Sequence, residues 1–152
     1  MVATTGKIGR AGVQMLLAST LVLWACPAFA EWKAECTPDK MTDKPHCSLI
    51  TTVTSRPSME FIGVGYEANM IAISGGSPLS QTRIRVDSNA AIVTRDCSGQ
   101  FCIVPEAQKG GLLKQMRTGS KLLVEITNVR GQTIGPLETS LSGFDAGFQT
   151  MK

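Results

Sequence analysis

The side chains whose types and spacing come nearest to chemistry are the cysteines. Beyond residue 30 there are four, Cys36, Cys47, Cys97 and Cys102, and the last two enclose the stretch CSGQFC. Two cysteines separated by four residues could be half of a metal site, a redox dithiol or a small closed loop. Zinc wants close pairs of the C-x2-C type so that four ligands converge tetrahedrally. The spacings here are C-x10-C and C-x4-C. A thioredoxin-like couple wants C-x-x-C at a helix start, which is also absent. An even set of cysteines in an exported chain then reads as disulfides. Four cysteines allow three pairings. Cys36–Cys47 with Cys97–Cys102 is expected, because each is local and each interval is rich in turn residues. A Cys36–Cys97 or Cys36–Cys102 bond would instead staple two sheets together. Loop-closure entropy assigns ~2 kcal/mol to the six-residue loop and ~3 kcal/mol to the twelve-residue loop, modest staples on a fold that already has a core.

The other titratable groups assemble no catalytic set. His46, the sole histidine, would need a thiolate partner, and its neighbour Cys47 is expected to be oxidised; His46 reads as an exposed loop histidine. No G-x-S-x-G or H-E-x-x-H occurs. Gly63-Val64-Gly65 is half of a nucleotide fingerprint, but it lies inside a predicted strand with no helix after it. Asp39 and Asp43 share a loop without the dense D-x-D-x-D spacing of a calcium site and read as solvated turn residues. Glu60 and Glu67 alternate with apolar neighbours and read as strand surface. Arg83 and Arg85 project from one face of a predicted strand, with Arg95 near in sequence. They are the candidate binding pair, suited to carboxylates, sulfates or phosphates on a glycan or lipid, against the alternative of a solvated outer face. No catalytic residue, metal or cofactor is expected, and the protein reads as a non-enzyme.

These residues must be carried by a domain that follows a leader. Residues 1–30 have Lys7 and Arg10 in a basic start, an apolar run from Val13 to Ala25, a break at Pro27, and Ala28-Phe29-Ala30 before a cut after Ala30. That is the layout of a secretory signal peptide. The apolar run is shorter than the ~20 residues of a spanning helix, and no later segment could span a membrane. Leu23-Trp24-Ala25-Cys26 offers a rival lipobox that would leave Cys26 lipidated; Trp24 and Pro27 fit it badly. Residues 31–152 then form a single domain, long enough for one core. Of the 15 Lys and Arg, Lys7 and Arg10 leave with the leader, so 13 basic side chains face 12 acidic ones. A net charge of +1 and the lack of a basic run interleaved with aromatics argue against nucleic acid.

Strands are expected at 31–36, 47–54, 59–66, 70–74, 82–87, 91–94, 101–104, 121–127 and 132–139. Arg56-Pro57 breaks the second, and Gly63 and Gly65 are possible bulge or close-packing positions. Ala107 to Arg117 places Leu112, Leu113 and Met116 at helical spacing, with Gly119 at the C-terminal cap. NVRG forms a hairpin turn through Gly131. Leu141, Phe144 and Phe148 share the greasy face of a short terminal helix, although Gly143 and Gly147 lower its propensity. The expectation is a mainly β, β-sandwich-like domain of about eight short strands with two short helices.

The order of these pieces resembles the invasion-associated locus B family, small exported proteins of Gram-negative bacteria. The carriers are Trp32 and Cys36 after the leader, MTDKPHC up to Cys47, IRVD at 84–87, the Cys97–Cys102 pair, LLKQMRTG and SLSGF. Family members commonly have glycine before the second cysteine of the later pair, where this chain has Phe101. The resemblance implies a β-sandwich-like domain with local disulfides, in the periplasm or at the outer surface, and a role in host-cell invasion or in the envelope. It brings no catalytic residue. The expected partner is a host-cell surface or an envelope component. The alternatives are a periplasmic envelope-maintenance factor and, from another class, a small hydrolase with an unrecognised site.

Overall fold

The structure, a computed structural model, describes residues 32–54 and 61–151. The leader, its cut after Ala30, the Arg56-Pro57 break and the start of the third predicted strand at Met59 lie outside the described residues. In chain order the elements are β1 (Lys33–Pro38), β2 (Pro45–Thr54), β3 (Phe61–Glu67), β4 (Met70–Gly75), β5 (Leu79–Val86), β6 (Ile92–Thr94), β7 (Cys97–Ser98), β8 (Phe101–Ile103), α1 (Glu106–Thr118), β9 (Lys121–Asn128), β10 (Thr133–Ser140) and α2 (Phe144–Thr150). They make a mainly β, sandwich-like domain. One antiparallel sheet has the order β1-β2-β3-β4-β8-β7, the other β10-β9-β5-β6.

Period-two alternation decides which face each strand buries. On β5, Thr82, Ile84 and Val86 are buried while Arg83 and Arg85 are exposed. On β9, Leu122, Val124 and Ile126 turn inward. Leu49, Ile62, Val64, Ile71 and Ile73 answer them from the larger sheet. Each such side chain removed from water stabilises the fold by about 1.5–3 kcal/mol. α1 adds Leu112 and Met116 to the same core. Glu106 in its first turn and Arg117 in its last suit the helix dipole.

Among the described residues ten strands form where about eight are expected. β7 spans two residues, too short to carry a periodic signal. β5 begins at Leu79, not Thr82, because a bulge between Leu79 and Gln81 interrupts the alternation. Gly63 and Gly65 make no bulge, since β3 pairs continuously with both neighbours. Gly63 is a close approach instead: a Cβ there would lie 2.4 Å from Ser74 Oγ. The β9–β10 turn closes as expected, with Gly131 at φ +79° and Asn128 Oδ1 accepting from the Arg130 and Gln132 amides at 2.9 and 3.0 Å. Leu141 precedes α2 and is buried together with Phe144 and Phe148. Trp32 meets Phe144 edge-on at 4.8 Å and donates its indole N–H to the Ser140 carbonyl at 2.9 Å. The N-terminal strand is thereby tied to the C-terminal segment.

Candidate functional site

The cysteines hold shape. Cys36 bonds to Cys47 and Cys97 to Cys102, each pair directly opposite across antiparallel strands. The two bonds lie at the two edges of the six-stranded sheet, where unpaired strands are otherwise free to fray or to pair with another chain. The Cys36–Cys97 and Cys36–Cys102 alternatives are excluded. Phe101 sits opposite Ser98 with its ring exposed, and the loop turns through Gly99 at φ +58° with no glycine needed at position 101.

Arg83 and Arg85 share the outer face of the four-stranded sheet, because residues two apart on a strand point the same way. Pairing with β9 places Glu125 opposite Arg83 and Leu123 opposite Arg85. Arg83 Nη1 donates to Glu125 Oε1 at 3.1 Å. Arg85 has no carboxylate partner among the described residues. Glu138, opposite Leu123 on the far side, is held by Lys121 Nζ at 2.8 Å, and that contact raises the Lys121 pKa above its ordinary value. The β10 bulge between Ile134 and Leu137 brings Pro136 to the same surface; proline is tolerated there because β10 is an edge strand. Together Arg83, Arg85, Ala91, Leu123, Glu125 and Pro136 line an open groove of about 240 Å³. Its lining joins apolar side chains to two guanidinium groups, one paired with Glu125 and the other without a carboxylate partner among the described residues. Arg95 takes no part, since its Nε donates to Gln81 Oε1 at 3.0 Å.

His46 is not a loop histidine. It lies in β2, because the intervening turn is confined to Asp39–Lys44 and the flanking prolines stand at the ends of the ladder. Its Nε2 hydrogen-bonds Glu67 on β3, an acid that reads as plain strand surface from the sequence. His46 also lines a cleft of about 380 Å³ with Pro45, Cys47, Tyr66, Asn69 and Phe148. The Tyr66 hydroxyl leans toward Asn69 Oδ1 at 3.4 Å, and Tyr66 meets Phe148 edge-on at 5.2 Å. Asp39 is a turn residue as expected: Oδ1 accepts the Met41 amide at 2.7 Å, and this bond holds its carboxyl below the ordinary aspartate value. Among the described residues no three His, Cys, Asp or Glu side chains gather as a metal ion requires, and no helix is long and apolar enough to cross a membrane.

The family model of the invasion associated locus B (IalB) proteins matches residues 69–152, more than half of the chain. The chain belongs to the invasion associated locus B family. The matched stretch starts at the β3–β4 turn and contains IRVD, the Cys97–Cys102 pair, LLKQMRTG and SLSGF. Trp32, Cys36 and MTDKPHC precede it, although their strands complete the larger sheet of this IalB protein. The arginine groove lies wholly inside the matched stretch, whereas His46 lies before it. No curated protein and no solved structure matches the chain. IalB proteins are not a known enzyme family, and IalB membership with two disulfides is compatible with an extracytoplasmic protein.

Proposed function

We propose that this is an exported, non-enzymatic protein of the bacterial envelope that binds acidic groups on an envelope or host-cell component through the outer face of its four-stranded sheet. The observation that carries the reading is the groove bearing Arg83 and Arg85, where a guanidinium that has no carboxylate partner among the described residues stands beside exposed apolar surface. Export is supported by the basic start, the short apolar run and Ala28-Phe29-Ala30, with residues 1–30 as a cleaved signal peptide and 31–152 as the domain. The disulfides fit an oxidising compartment such as the periplasm or the cell exterior. Mass spectrometry of protein from the native envelope should give Glu31 as the first residue; a diacylglyceryl Cys26 would establish a lipoprotein in its place. The binding test is an array of acidic glycans and lipids with residues 31–152, repeated on an Arg83→Ala, Arg85→Ala variant. Binding should be lost with the melt unchanged, and binding that survives would remove this face from consideration.

A second reading, a small hydrolase, draws on His46, which lines the cleft and hydrogen-bonds Glu67 as a base does its orienting carboxylate. Against it, the Cys47 sulfur is already bonded and, among the described residues, no serine or threonine lines the cleft. Only activation of a water would be open to it. Turnover of an envelope substrate that vanishes in His46→Ala would favour this reading.

A further inference from the structure

The groove on the outer face is not a simple double-arginine site, and its asymmetry narrows what it can take. Resting on the reading that this face binds acidic groups, we infer that its ligand is a small monoanionic amphiphile, a carboxylate joined to a short alkyl chain, and not a polyanion. Charge makes the first selection. Arg83 and Glu125 are paired at 3.1 Å and together contribute no net charge to the lining. Arg85 is the one cation there without a carboxylate partner among the described residues. One carboxylate can take the fork of its guanidinium with two parallel hydrogen bonds. A second negative charge would arrive beside Glu125 and be repelled.

Surface chemistry and size make the other selections. Leu123, Ala91 and Pro136, with the methylene stems of the two arginines, give an apolar strip beside the charge. An alkyl chain can lie there, whereas a hydrated sugar ring would lose water for little return. The volume of about 240 Å³ falls below the ~300–1,000 Å³ of sites for drug-sized ligands. That space holds a headgroup and a few methylenes, and anything longer would run out of the open groove into solvent. Glu125 is then the specificity residue: it neutralises Arg83 and bars a second anion.

The test is titration calorimetry on residues 31–152 with hexanoate, hexanol and inorganic sulfate as probes. Hexanoate should bind, and hexanol and sulfate should each bind about ten-fold more weakly or worse, the scale of a lost charge-assisted hydrogen bond. Arg85→Ala should reduce hexanoate affinity about ten-fold or more with an unchanged melt. Glu125→Gln releases Arg83 and should raise sulfate affinity by about ten-fold. Wild-type protein that prefers sulfate, with that binding lost in Arg85→Ala, would overturn the monoanion inference while leaving the arginine face as the binding surface. Hexanol binding as well as hexanoate would overturn the role of charge. Hexanoate binding untouched by Arg85→Ala, or no binding of hexanoate or sulfate by the wild type, would overturn the inference and count against the face itself.

Discussion

Replacing Phe144 by alanine should cost this domain a large part of its stability. Phe144 is fully buried. Its ring meets Trp32 edge-on at 4.8 Å and stacks on Phe148 at 6.4 Å with an interplanar angle of 18°. Truncating a buried phenylalanine typically costs ~3–5 kcal/mol through lost transfer energy and the cavity left behind. The aromatic pairs add about 0.5–1.5 kcal/mol beyond their area, so the upper half of that range applies. For a domain of this size, roughly 4 kcal/mol corresponds to a fall in Tm of about 10–20 °C. Trp32 is the one tryptophan beyond residue 30, so its fluorescence reports on the contact directly. Thermal melts of residues 31–152 followed by tryptophan emission and by circular dichroism should show the fall, with red-shifted emission in the folded variant. Met41→Ala, at a side chain 92% exposed, should melt within about 2 °C of the wild type. A Phe144→Ala melt as close to wild type as that control would mean that α2 does not close the core, and the packing argument would fail.

Non-reducing peptide mapping should find Cys36 joined to Cys47 and Cys97 joined to Cys102, and a Cys36–Cys97 peptide would contradict the two-edge arrangement. Gly119→Ala, just past the end of α1, should destabilise by about 1–3 kcal/mol, since a Cβ there would crowd Val86 Cγ1 and lie 2.8 Å from the Gln115 carbonyl oxygen; Gly110→Ala, with open space around it inside α1, should stabilise by about 0.5–1 kcal/mol, and chemical denaturation distinguishes the two. Because the Asp39 carboxyl is held below its ordinary value, its contribution to the β1–β2 turn is present above the unfolded aspartate value of ~3.9 and is lost as the pH falls through the folded value. An NMR titration should place Asp39 below the ordinary aspartate value, and Asp39→Asn should blunt the acid sensitivity of the Met41 amide.

What the sequence made legible was local. Ile84 and Val86 against Arg83 and Arg85 gave away both the strand and its faces, because a half-buried strand writes its geometry as a period of two. The two disulfides were readable because each joins facing residues of one hairpin. The terminal helix was readable from Phe144 and Phe148, yet Gly147 looked like a weakness. It is a fit, since a Cβ there would lie 2.6 Å from Leu49 Cδ1. Pro38, Asp39, Asp43 and Pro45 drew a longer loop than exists, because prolines at the ends of a ladder disturb no strand hydrogen bond that matters. Partners far apart in sequence could not be read at all. Glu125 lies 42 residues from Arg83 and Glu67 lies 21 from His46. Only the register of β9 on β5, and of β3 on β2, brings each acid to its base. The candidate site was thus visible as two arginines, while the neutralisation of one of them was not.

The most direct test of the binding account is amide chemical-shift mapping of isotope-labelled residues 31–152 titrated with hexanoate. The account predicts saturable shifts clustered at Arg83, Arg85, Leu123 and Glu125, absent in Arg85→Ala. Shifts clustered instead at His46, Tyr66 and Asn69 would contradict it and move the site to the opposite sheet.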